Sequence, residues 1–145
     1  MIICKIYDVF CEIRQFRVFF IHPRFTRHPS DGFAVITCPD LQSVCALVAE
    51  DKLTDPAYTS PAGPIAPLDI LYGHRPALAR GNLYMAHRCG FTEKVLSGTL
   101  QSSGFKKIAS MKRGAPYFDL WALACKADLN EEELLSLAKN HFTPR

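Results

Sequence analysis

The sequence predicts a mixed α/β fold, with helices flanking a sheet, and three observations carry that prediction. A nearly continuous β-branched run, "GFAVITCPD", leads straight into a capped amphipathic helix. Two more strand-like runs, "FKKIASMK" and "YFDLWALACK", are separated only by the turn "RGAP". Helical spacing then returns behind Asn130. Strand, tight turn and helix in succession is the repeating unit of α/β folds, and 145 residues suit one domain with a moderate core.

In residues 1–30, Ile2, Ile6, Val9, Phe10, Ile13 and Phe16 follow helical spacing, whereas "RVFFI" has strand composition. Two prolines in "IHPRFTRHPS" then break any regular element. This head is expected to be a helix or extended segment followed by a linker, set apart from a folded unit over 31–145. The run opened by Gly32 and closed by Pro39 describes a strand buried on both faces, as in a covered parallel sheet. Asp40 caps the next helix, whose apolar face is Leu41, Val44, Cys45, Leu47 and Val48.

Residues 54–91 carry five prolines and four glycines and read as a long irregular insert, with short helical turns at "PLDILY" and "NLYMAHR". Segments of this length without regular structure are uncommon in compact domains and are often lids. Thr92 caps a helix reaching about Ser103, with Val95, Leu96 and Leu100 inward and Gly104 at the C′ position. The two strands that follow are too closely joined to be parallel, because a parallel return needs a crossover of about a dozen residues. Asn130 and Glu133 form a capping box for the last helix, whose apolar side is Leu134, Leu135, Leu137 and Ala138. Phe118 and Trp121 are expected in the core.

Composition excludes several classes of function. The net charge of +3 resides in residues 1–28, with five basic residues against two acids, and the remainder balances twelve of each. No basic face runs through the body, so no nucleic-acid partner is expected. The six cysteines include no C-x-x-C pair, and several sit in apolar runs such as "CALVA". They read as small buried hydrophobes of a reduced cytoplasmic protein. His87 and Cys89 lack a second ligand pair at zinc spacing, so no metal is expected. Charged residues interrupt the apolar head, which argues against a membrane span or a signal peptide.

Three stretches resemble the closing half of the class I S-adenosylmethionine-dependent methyltransferases, over roughly Pro29–Lys126. "SDGFAVITCPD" is similar to the family's fifth strand, and "CGFTEKVLSGTLQSSGFKKI" to its helix entering the sixth. "YFDLWALACK" resembles the seventh, reversed strand, and the 54–91 insert resembles that of a bacterial subgroup. The resemblance implies a partial Rossmann-like sheet and, in full-length relatives, methyl transfer to a small-molecule acceptor. It also implies a glycine-rich loop for the cofactor in the first half of the sheet. Here the glycines are 32, 63, 73, 81, 90, 98, 104 and 114, with no G-x-G spacing. The expectation is therefore a truncated methyltransferase-like protein that binds no cofactor and performs no catalysis alone. The alternatives are a module pairing with itself or another chain, or an acceptor-side half completed by a partner.

By position, Pro39 and Asp40 border the substrate cleft at the carboxyl end of the fifth-like strand, where open α/β sheets bind ligands. Asp40 is equally an ordinary helix cap. Tyr72, His74, Arg75, Arg80 and His87 form the candidate lid: arginine forks suit carboxylates or phosphates, and histidine accepts a proton near neutral pH. The competing reading is that the two arginines anchor the loop itself.

Overall fold

A computed structural model describes residues 17–19 and 32–142. The six strands are β1 (Arg17–Phe19), β2 (Phe33–Pro39), β3 (Tyr58–Ser60), β4 (Gly63–Ile65), β5 (Lys107–Arg113) and β6 (Asp119–Cys125). The helices are α1 (Leu41–Ala49), α2 (Pro67–Tyr72), α3 (Arg75–Ala79), α4 (Glu93–Ser102) and α5 (Glu131–His141), with a 3₁₀ turn at Leu83–Met85.

The main sheet has the order β1-β2-β6-β5, and every neighbouring pair is antiparallel. That corrects the parallel surroundings expected for β2. A strand covered on both faces has the same apolar run whichever way its neighbours point, so composition cannot set their direction. The covering itself is as expected. On one face Ala34, Ile36, Leu120 and Ala122 pack beneath Leu96 and Leu100 of α4. On the other, Val35, Leu123 and Cys125 pack with Leu134 of α5, and Trp121 stays half-buried at the margin. β2 and β5 run parallel to each other, one on each side of the reversed β6. "RVFFI" does supply a strand, β1, whose Val18 pairs with Ile36; the helical expectation for the rest of the head and the "IHPRFTRHPS" linker lie outside the described residues.

Capping follows the sequence closely. The Thr92 hydroxyl accepts the Val95 N–H, and the Asn130 and Glu133 side chains complete a capping box. Gly104 takes φ +91° just beyond α4, a left-handed turn suited to glycine. The apolar faces are narrower than expected. Val95, Leu135 and Cys45 are exposed, and of the α1 face only Val44 is buried.

The insert is more ordered than its composition implies. A short β3–β4 hairpin, α2, α3 and the 3₁₀ turn fold against α1, with Val44, Ile65, Ile70 and Phe118 forming a third apolar cluster. Gly73, at φ +110°, lets two backbones meet: a Cβ there would stand 1.9 Å from the Met85 carbonyl oxygen.

Candidate functional site

The carboxyl end of β2 is where the sheet, α1 and the insert converge. Pro39 ends the strand, and Asp40, fully buried at 0% exposure, caps α1. Its carboxylate accepts the N–H groups of Gln42 and Ser43 at 3.2 Å each, together with the Ser43 hydroxyl. Lys112 brings its Nζ to 3.4 Å from the same carboxylate and donates to the Gln42 side-chain oxygen at 3.3 Å. The Asp40 N–H donates to the Phe118 carbonyl at 2.8 Å, and the Leu41 N–H to Phe91 at 2.9 Å. Both oxygens of Asp40 are thus engaged in holding the junction, which is the capping role.

A narrow cleft opens beside it, lined by Pro39, Leu41, Val44, Ile70, Leu71, Cys89 and Gly90. Its cavity volume of about 30 Å³ lies an order of magnitude below the roughly 300–1,000 Å³ of drug-sized ligand pockets. Cys38, beneath it, is pushed up to about 12, first by burial and then by the charges of Asp119 and Asp40. Its thiol stays protonated at neutral pH and is no nucleophile. Burial also raises Cys89.

In the insert, the organising group is one the sequence reading passed over. Asp69, buried, receives the Arg75 guanidinium on both oxygens, Nε at 2.8 Å and Nη2 at 3.0 Å. The N–H groups of Ala66 and Arg75 add two more bonds at 3.0 Å. The bidentate guanidinium, ahead of those backbone bonds, holds the carboxyl well below the usual carboxylate range. The sequence does give a signal, since Asp69 is the only acid between Pro56 and Thr92.

The other predicted residues separate into two groups. His87 sets Nδ1 2.7 Å from the Ile70 carbonyl, and its own N–H donates to the Tyr72 carbonyl at 3.1 Å. A carbonyl only accepts, so Nδ1 carries the proton and Nε2 is the acceptor. Burial pulls His87 below the ordinary histidine value, and the hydrogen bond to Ile70 opposes that partly. His74 caps α3 through its carbonyl, which accepts from Ala77 and Leu78. Tyr72 and Arg80 lie exposed. Arg75 and His87 therefore do structural work within the insert, whereas Tyr72 and Arg80 face outward.

Among the described residues, no three or more His, Cys, Asp or Glu side chains come together to hold a metal, and no helix is long and apolar enough to cross a membrane. Comparison with protein-family models, curated proteins and solved structures finds no match.

Proposed function

We propose that this chain is the acceptor-side half of a methyltransferase-like sheet, without catalysis of its own. The observation that carries the reading is the sheet order: a reversed β6 lies between β2 and β5, and the insert falls between α1 and α4. That order supports a partial Rossmann-like sheet with strands of fifth, seventh and sixth type. In the resembled family further strands extend the sheet on the side of β2, where here Arg17–Phe19 of β1 pairs. Nothing in the sequence has G-x-G spacing to let backbone approach a cofactor closely, and the cleft at the end of β2 is too small for one. Asp40 and Arg75, the polar groups best placed by sequence to meet a ligand, are engaged internally.

Titration of S-adenosylmethionine into the purified chain by calorimetry tests this. The expected result is no saturable heat. Stoichiometric binding at micromolar affinity would overturn the reading. The second reading, a module that pairs with itself or another chain, is favoured by the exposed Tyr72, Leu83 and Met85.

A further inference from the structure

We propose that the insert carries a docking surface for a second copy of this chain, and that it docks on the start of α5. Tyr72, Leu83 and Met85 are 64%, 71% and 39% exposed. Their backbones lie close together, because Gly73 brings the end of α2 against the Met85 carbonyl and the Tyr72 carbonyl accepts the His87 N–H. The patch is held from beneath by the Asp69–Arg75 fork, so binding need not order it first. Contiguous exposed apolar groups of this kind mark interaction sites.

Charge identifies the occupant. Arg75 neutralises Asp69, and no other acid occurs before Glu93, so exposed Arg80 and Arg88 give the patch a positive rim. Leu135 of α5 is 48% exposed, with exposed Glu131 and Glu132 four and three residues earlier. Those spacings put both acids beside Leu135 on one helix face. Glu133 is occupied by the capping box. Lys139, four residues beyond Leu135, adds one positive charge on the far side, so the acids flank Leu135 toward the start of the helix, and this acidic edge matches the basic rim of the insert. Among the described residues, Val95 and Tyr117 offer no such match: Val95 has Thr92, Gly98 and Thr99 at the helical spacings and no acid among them, and Arg113 lies 4.1 Å over the Tyr117 ring. The contact joins two different surfaces, so it is heterologous, and copies add head to tail.

This inference stands independently of the methyltransferase-like reading, and cofactor titration does not bear on it. Sedimentation velocity on the full chain, over rising concentration at low and high salt, is the test. The expected result is a mass that grows with concentration at low salt and falls back when the rims are screened. Leu83→Glu abolishes the growth, with circular dichroism unchanged. Arg80→Glu with Arg88→Glu, and separately Glu131→Lys with Glu132→Lys, each weaken association about tenfold or more. Mixing these two charge-reversed proteins restores a complex, because one still offers a basic lid and the other an acidic helix. A monomer at every concentration overturns the proposal. So does association that survives Leu83→Glu, or a mixture in which no complex forms.

Discussion

The sheet and the insert achieve order by opposite means. β2 and β6 are covered on both faces, and their register is fixed by seven residue pairs between apolar strands. The insert shares a small apolar cluster with α1 and Phe118, but its path is set by polar and steric point contacts: one buried carboxylate, one close backbone approach at Gly73 and one histidine on a carbonyl. Apolar burial is distributed and tolerates rearrangement, whereas a point contact fails when one atom is removed. A segment this rich in proline and glycine can therefore be ordered without a large core, provided that a few groups are placed correctly.

The largest effect should come from the sheet. Leu123→Ala, beneath α5, should cost about 2–5 kcal/mol and lower the melting temperature by roughly 5–15 °C, read by thermal denaturation. A loss as small as that from an insert substitution would erase the contrast. Next comes Asp69→Asn, expected to cost about 1–3 kcal/mol by leaving donors poorly satisfied. Hydrogen exchange should show faster amides over residues 66–91 while β2 and β6 keep their protection; uniform acceleration would mean that the insert and sheet unfold as one. The same variant tests a pH dependence. The Asp69 carboxyl is held low in the folded state, so its stabilisation is complete above the usual carboxylate range and is lost as pH falls below that range toward the lowered folded value. Asn should remove that slope.

The smallest effect belongs to His87. Its folded value is depressed, so it favours folding above the ordinary histidine range and loses that contribution as pH falls below it. NMR titration should place its midpoint below that of a free histidine. His87→Gln, which retains a donor for Ile70, should abolish this slope near neutral pH and leave the one belonging to Asp69 untouched. A midpoint at or above the free value would contradict the burial seen here.

Legibility in the sequence follows the same division. β2, β5, β6 and the capped α1, α4 and α5 were readable because caps and periodicity are local: Asp40, Thr92 and Asn130 each bond within three residues. The direction of the strands beside β2 was not readable, because two-sided burial leaves no mark of it in composition. Within the insert, "PLDILY" announced α2, while α3 and the β3–β4 hairpin went unread. Arg75 illustrates the limit. Its charge suggested a ligand, but its partner lies six residues back across a turn that only the left-handed Gly73 makes possible. The methyltransferase resemblance implies a substrate cleft at the end of β2, and there the structure has a cap and a narrow cleft.

The strand on the β2 edge behaves as a stopper. Among the described residues, Arg17, Val18 and Phe19 pair there, against Thr37, Ile36 and Val35. A strand offered from another molecule can join that edge only by exchange, displacing a competitor tethered to the same chain at high local concentration. That competitor stands between the sheet and indiscriminate edge-to-edge growth. Extension at this edge is therefore a replacement reaction, and an incoming strand prevails only by pairing along β2 better than the tethered one does.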